Sequence, residues 1–502
     1  MARDARRQEG GGRRAESRRG PRGGGSGRAR RVAYDVLAAV SQRDAYANLM
    51  LASALRDRGL RGQDAALATE LAYGTLRNRA CYDAIIGMCA DRDLTRIDQP
   101  VLDVLRMGAH QLLGMRIKPH AVVATTVDLA IAVAGRRPAG FVNAVLRRIT
   151  PRDLESWLQV VAPDRVSDPT GHLSVRYSHP RWIVAAFADA LGEHDVPADG
   201  EPAAGLAETE AALAADQDRP DVTLAAVPGL AEPAELVDAG AKPAKWSPFG
   251  AYLPGGDPGA LTAVAEHRAS VQDEASQLAV LALTRAEING PDSAWLDLCA
   301  GPGGKAKLLA GVAAERGAHL LAADAHEHRA RLAAEALHGT GSARALTADG
   351  TAPAWHLAAF DRVLADVPCS GLGSLRRRPE ARWRRDSADI ANLGDLQRAL
   401  LGSAVDATRA GGLIAYVTCS PHLAETRGVL DDVLASRADL EVIDCPALLP
   451  EVPDLRCREP YARCAQFWPH RHGTDAIFVA VLRRCDRGGR SASVSGSEQE
   501  SG

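Results

Sequence analysis

From Arg31 to Ile149 apolar residues recur at helical spacing: Val32, Val36, Leu37 and Val40; Leu67, Leu71 and Leu76; Ile85, Ile86 and Met88; Val101, Val104, Leu105 and Leu112. Breaks at Arg58-Gly-Leu-Arg-Gly62, Asp91-Arg-Asp93 and Lys118-Pro119 divide the stretch into separate helices. The pattern predicts an all-α bundle over 29–150, and it holds no acid, base and nucleophile constellation, which points to a binding module. Beyond Ala269 the pattern changes. Short apolar runs at Ala294–Leu298, His319–Ala323, Arg362–Ala365, Leu413–Val417 and Ala476–Val481 are strand-like, with helical stretches between them. That alternation predicts a mostly parallel, doubly wound sheet over 269–485, with ligands at the carboxyl ends of its strands.

Between these halves, 151–268 reads as a small α+β connector. Tyr177-Ser-His179-Pro180-Arg-Trp182 opens a helix, since Pro suits a first turn. Asp221–Val227 and Gly250–Pro254 read as short strands, and Gly192 to Asp218, rich in Ala, Glu, Asp and Pro, as loosely structured in part.

Composition changes this picture at the ends. The net charge of −3 hides eleven Arg against three acidic residues in positions 1–31, a local charge of +8 that leaves −11 for the rest. An Arg/Gly tail over 1–28 without aromatics cannot build a core and is expected to be disordered, as is the Ser/Gly/Glu stretch 486–502. Such a tail either attracts phosphates without sequence preference or is simply solvated. No stretch of about 18 consecutive apolar residues is present, so no membrane span is expected. Neither is a secretory signal, because no apolar segment follows the basic start. Nine scattered cysteines form no disulfide framework, and the odd number excludes full pairing; a reduced, cytoplasmic chain is the expectation.

Candidate chemistry concentrates in three places. Asp297-Leu-Cys299-Ala300-Gly301-Pro302-Gly303-Gly304-Lys305 is a glycine-rich turn from the first strand of the sheet into a helix, where the backbone approaches a ligand closely. It matches neither the dinucleotide nor the ATP fingerprint. Asp324 closes the second strand, where a carboxylate accepts hydrogen bonds from ribose hydroxyls, and Asp349 follows a third strand within reach of an adenine amino group. Two thiols follow in Asp366-Val-Pro-Cys369-Ser-Gly and Val417-Thr-Cys419-Ser-Pro421, each at the end of an apolar run. A lone cysteine is more often a small buried hydrophobe, which is the reading for Cys81, Cys89, Cys445 and Cys485. Two cysteines at consecutive strand ends beside a nucleotide-like site instead suit covalent catalysis on an electron-poor ring. Carbon 5 of cytosine is a poor nucleophile until a thiolate adds at C6.

These motifs together are the basis of a family resemblance. Cys299–Lys305, Asp324, Asp349, Asp366–Gly371 and Thr418–Ser420, with Val271-Gln272-Asp273-Glu-Ala-Ser276-Gln277 ahead of them, resemble the NOL/NOP/Sun family of RNA cytosine-C5 methyltransferases. Arg30-Arg31-Val-Ala-Tyr34-Asp-Val-Leu37, Glu70-Leu-Ala-Tyr73-Gly74-Thr-Leu-Arg77 and Gly140-Phe141-Val-Asn143-Ala-Val145-Leu-Arg147-Arg148 resemble NusB-type RNA-binding bundles. A NusB-like bundle ahead of such a core resembles the RsmB/Sun/Fmu branch, which acts on small-subunit ribosomal RNA. The resemblance implies a multidomain chain: an all-α NusB-like bundle, a small α+β connector and an α/β Rossmann-like class I methyltransferase domain. It implies S-adenosylmethionine as methyl donor, held by Cys299 to Lys305, Asp324, Asp349 and Asp366. It makes Cys419 the nucleophile and Cys369 the thiol that assists product release, with Asp366 at the cytosine edge and Lys305 closing the site. DNA cytosine methyltransferases use the Pro-Cys position of Cys369 instead, and Thr418-Cys419 favours RNA. One departure is Gly473-Thr-Asp475-Ala476-Ile-Phe478, where the family has Asp-Gly-Phe-Phe.

RNA contact is expected from Arg77, Arg147 and Arg148 in the bundle and from Arg378, Arg382 and Trp383 in the stretch 375–385, which holds six Arg and one Trp. Tyr34, Phe141 and Val145 are expected in the core. Asp324-Ala-His326-Glu-His328 and Cys457-x6-Cys464 lack a second ligand pair, so no metal is expected. A transfer-RNA methyltransferase and a catalytically silent assembly factor are the competing readings. A monomer with ribosomal RNA as its partner is the default.

Overall fold

The computed structural model describes residues 25–43, 45–192, 206–352 and 354–486. Both terminal tails and most of the stretch before Leu206 therefore lie outside the described residues, and so does the disorder expected of the tails. The described chain separates into two compact units: the residues up to 75 with 97–150, and 76–96 with 151 onward.

The described chain opens with the helices α1 (Gly25–Arg43), α2 (Ala47–Asp57), α3 (Gly62–Arg77), α4 (Arg79–Ala90), α5 (Gln99–Leu113), α6 (Pro119–Ala134) and α7 (Ala139–Ile149). In the first unit α5 is central. Every residue from Val101 to Gln111 is buried, as expected of a helix surrounded by others. Val32, Val36, Leu71, Val122, Val142, Val145 and Leu146 complete this core. Its buried Asp103 accepts from Arg106 at 3.1 Å and from Ser41 at 2.8 Å. Of the expected core aromatics, Tyr34 is buried and Phe141 only half-buried.

In the second unit α4 packs with α8 (Leu154–Val161) and α9 (Pro169–Arg176). Next come α10 (Arg181–Leu191) and α11 (Ala207–Ala215). The described part of the segment expected to be loose is thus largely the helix α11, whose Ala212 and Leu213 join Phe187 and Ile183 of α10 in one apolar cluster. A four-stranded antiparallel sheet follows, ordered β2-β3-β1-β4, from β1 (Val222–Ala226), β2 (Lys242–Pro243), β3 (Gly250–Leu253) and β4 (Ala269–Val271). Two short helices, α12 (Pro233–Asp238) and α13 (Thr262–Ala265), lie between its strands.

The main sheet has eight strands: β5 (Ala294–Asp297), β6 (His319–Asp324), β7 (Ala343–Thr347), β8 (Phe360–Asp366), β9 (Thr408–Thr418), β10 (Leu440–Ile443), β11 (Ala465–Gln466) and β12 (Phe478–Arg484). Their order is β10-β12-β9-β8-β5-β6-β7, with β11 paired to β12. From β7 to β9 the pairing is parallel, while β12 runs antiparallel to β9. Strand order reverses at β5, so the crevice above β5 and β8 is the natural ligand site. One face is covered by α14 (Glu274–Arg285) and α15 (Gly304–Glu315), and α16 (Glu327–Ala336) follows β6. The other face is covered by α17 (Asp389–Ala407) and α18 (Arg427–Ser436), and a short α19 (Pro469–His472) precedes β12. The five expected runs are all strands, and the third strand expected before Asp349 is β7; β10 has no fully buried residue and announces itself in no apolar run.

Candidate active site

The glycine turn forms as its composition requires. Gly303 sits at φ +111°, and a Cβ there would lie 2.5 Å from Cβ of Ala336. A Cβ at Gly301 would lie 2.5 Å from Oδ2 of Asp324. Only glycine lets the loop pass this close to the ends of β6 and α16. Asp324 accepts from Gly301 N at 3.0 Å, His326 N at 3.0 Å and Arg329 Nε at 3.1 Å. Arg329 in turn donates to the Gly301 carbonyl. Asp349 is exposed after β7 and closes a turn onto Thr351, whose N–H and hydroxyl hold its carboxyl below the ordinary value. Beneath the loop, Asp297 is buried with Oδ2 lacking any hydrogen-bond partner, and burial together with Asp366 pushes its pKa up to about 8. Cys299 is likewise raised by burial and lines the turn as a thiol.

Lys305 opens α15 and donates to Asp366 at the end of β8, 2.9 Å away. Burial works against the ammonium, but the Asp366 charge and hydrogen bond outweigh it, and Lys305 ends above its ordinary value. Cys369 and Cys419 approach from adjacent strand ends to an Sγ–Sγ distance of 3.2 Å. The hydrogen bond between the two sulfurs draws Cys419 below the ordinary thiol value, aided by Lys305 and Arg378 and opposed by burial and Asp366. That same bond, burial and the charges of Cys419 and Glu425 push the Cys369 thiol well up. The pair is therefore asymmetric, with ionisation favoured at Cys419 and opposed at Cys369.

Two residues that sequence reasoning passed over contact the loops of this pair. Gly373 N donates to Cys419 O at 2.8 Å, and Gly373 O accepts from Ala476 N at 2.8 Å. Glu425, fully buried, receives donors from the loops of both cysteines. Neither carries a local signal; each matters through partners 46 or more residues away for Gly373 and through both loops for Glu425. Arg329 and Asp297 were missed for a similar reason, although Asp297 begins the glycine-rich turn and Arg329 lies five residues after Asp324.

The residues expected to touch RNA divide. Arg147 and Arg148 are exposed on the last turn of α7, and Arg378 is exposed beside Cys419. Arg77 and Arg382 are corrected: both are buried and bind backbone carbonyls, so neither presents its charge to a phosphate. Arg77 reaches Arg376 O at 3.2 Å. Arg382 donates to the carbonyls of Arg77 (2.9 Å), Ser178 (3.1 Å), Tyr177 (3.3 Å) and Asp216 (2.9 Å). Trp383 is half-buried under Arg79, whose guanidinium lies 5.1 Å from the ring centre. Arg376 and Arg377 also turn inward, onto Asp273 and Asp475. Among the described residues no group of three or more His, Cys, Asp or Glu side chains is placed to hold a metal.

The Gly301 and Gly303 cradle, the orphaned carboxyl oxygen of Asp297 and the carboxylates at the ends of β6 and β7 fit a nucleoside methyl donor with an amino-acid end. Residues 285–483 match the family model described as 16S rRNA methyltransferase RsmB/F, and residues 27–151 match the NusB family. A putative methyltransferase of Mycobacterium tuberculosis, Rv1407, is 49% identical over 467 residues, covering 93% of this chain and 98% of its own. Ribosomal RNA small subunit methyltransferase B of Escherichia coli is 31% identical over 78% of this chain and 86% of its own. The crystal structure of PH0851 superposes with a TM-score of 0.72 at 20% identity, covering 91% of this chain and 99% of that one, a likeness of fold.

Proposed function

The chain belongs to the RsmB/F family of methyltransferases, and from that membership and the thiol geometry we propose that it methylates C5 of a cytosine in 16S ribosomal RNA. The observation that carries the reading is the pair of sulfurs 3.2 Å apart, with the Lys305–Asp366 pair at 2.9 Å beside the same strand ends. Bound S-adenosylmethionine supplies the methyl group, and the residues fit to hold it are the turn from Cys299 to Lys305 with Asp324, Asp349 and Asp366.

Cys419 thiolate adds to C6 of the ring, forming an S–C bond and leaving the electron pair on C5. Asp366 meets the cytosine edge and accepts from its exocyclic amino group, while the Lys305 ammonium closes the site and offsets the negative charge that develops on the ring. Once C5 has taken its methyl group, a base removes the C5 proton, the ring double bond re-forms and the S–C6 bond breaks. Cys369, held as a thiol against Cys419, assists that expulsion. The cytosine must leave any stacked helix to expose C6. Arg147, Arg148 and Arg378 contact phosphate, and the enzyme acts in the cytoplasm as a monomer on RNA.

The test is transfer of labelled methyl from S-adenosylmethionine into protein-free 16S rRNA and into bulk tRNA, with the product base identified. We expect 5-methylcytosine at one rRNA site. Cys419→Ala abolishes transfer, while Cys369→Ala leaves a protein–RNA adduct that survives denaturing electrophoresis. Label confined to tRNA overturns the substrate, and transfer by Cys419→Ala overturns the mechanism.

A further inference from the structure

Six residues beyond Cys419, the chain buries a carboxylate that no step of the reaction uses. Four donors converge on Glu425. On Oε1 these are Ser370 N at 2.7 Å and Gln397 Nε2 at 3.1 Å. On Oε2 they are the hydroxyls of Ser370 at 2.5 Å and Ser420 at 2.7 Å. Ser370 and Ser420 are the residues that directly follow the two cysteines. Their hydroxyls lie 3.1 Å apart, both facing the same carboxylate oxygen. Gln397 of α17 also donates to Pro368 O at 2.9 Å, and the Tyr416 hydroxyl of β9 fixes the Glu425 carbonyl at 2.7 Å. One side chain thus ties the loop after β8, the loop after β9 and the helix α17 at a single point.

A carboxylate only accepts, so it meets four donors without a mismatch. A glutamine here would aim an amide N–H₂ at one pair of those donors, in a place closed to water. Pairing of β8 with β9 sets the two loops side by side, and the serines next to the two cysteines are what Glu425 grips. We propose that Glu425 is the positioning residue of the thiol pair, holding both cysteine loops in the register that makes Cys369 the hydrogen donor and Cys419 the acceptor. The charge of Glu425 also lies beside Cys369 and opposes that thiol's ionisation. The other charged or titratable groups facing the pair are Asp366, Lys305 and Arg378 around Cys419 and Tyr416 near Cys369. The inference rests on the reading of Cys419 as nucleophile and Cys369 as its helper, so its test does not depend on methyl transfer.

The full-length chain, without RNA or methyl donor, is alkylated with iodoacetamide from about pH 6 to about pH 10, the range in which thiols titrate, and each cysteine is followed by peptide mass spectrometry. In the wild type Cys419 reacts faster than Cys369 by about tenfold or more near neutrality. In Glu425→Gln that preference falls to about threefold or less, and the Cys419 profile moves to higher pH. Ser370→Ala with Ser420→Ala removes two of the four donors and gives the same change; it carries the test if Glu425→Gln does not fold. A folded Glu425→Gln protein, by circular dichroism and melting, with the wild-type alkylation pattern overturns the inference. Where the wild type transfers methyl, the variant lowers kcat with KM for both substrates unchanged and accumulates the protein–RNA adduct. An inactive wild type removes only that second readout, and the alkylation result still decides.

Discussion

A thiolate is stabilised wherever a donor and positive charges surround it, and Cys419 has Cys369, Lys305 and Arg378 in those places. With its folded pKa below its ordinary thiol value, Cys419 is deprotonated at lower pH than a free thiol. Single-turnover methyl transfer should therefore climb with pH and level off below that value. Cys369→Ala removes the largest stabilising contact and moves the rising limb to higher pH, a shift that a pH–rate profile reads directly. Gly373 matters by absence of a side chain. A Cβ there would fall 1.7 Å from Ala476 O and 2.9 Å from Cys419 O, both backbone atoms that cannot swing aside. Gly373→Ala should cost about 3 kcal/mol or more of stability, seen as a lowered melting temperature, and lose activity through displacement of Cys419. The two cysteines were readable in the sequence because short motifs carry them. Gly373 and Glu425 were not, because their weight lies in partners that only the fold brings near.

The same distinction operates on whole elements. The segment 375–385 reads as a basic RNA-facing loop, yet the fold divides its arginines into two kinds. Arg376 and Arg377 form a buried cluster with Asp273 and Asp475, two positive against two negative groups drawn from distant segments. The Gly473–Phe478 segment thereby acquires a structural role, since its Asp475 anchors the loop that follows Cys369. Arg382 binds four carbonyls, none of them predictable from its neighbours in sequence. Arg378 alone of these four is exposed beside the thiols. Two substitutions separate the kinds. Arg378→Ala should leave the melting temperature within error, weaken RNA binding and lower the slope of log K against log salt by about one. Arg382→Ala strands buried carbonyls and should cost about 3 kcal/mol or more, with melting as the measurement. If Arg382→Ala melts like the wild type and alters only the salt slope, the inward assignment fails. Charge and composition cannot make this division, since an arginine's fate depends on whether carbonyls or solvent wait at the end of its side chain.

At the scale of the molecule, hydrophobic periodicity locates helices but not what covers them. The run from 29 to 150 reads as one continuous bundle, and the NusB match spans 27–151. In the structure α4, midway along that run, packs within the second unit instead, against α8 and α9. Cys81, Tyr82, Ile85, Ile86 and Cys89 of α4 are buried. Ala80 N donates to the Ser178 hydroxyl at 2.8 Å, and the Arg77 carbonyl is one of the four that hold Arg382. The second unit is therefore discontinuous in sequence, and a catalytic fragment cut at residue 151 would lack one of its own helices. Removing it uncovers the apolar faces of α8 and α9 and leaves Arg382 short of an acceptor next to the loop that carries Cys369. Burial of five such side chains contributes on the order of 1.5–3 kcal/mol each, comparable with the whole stability of an ordinary domain. A fragment of residues 151–486 should accordingly aggregate or melt far below the full chain, and a peptide spanning 76–96 added in trans should raise its melting temperature in a concentration-dependent way. A fragment that melts with the full-length chain and ignores the peptide would mean that α4 is dispensable to the catalytic unit.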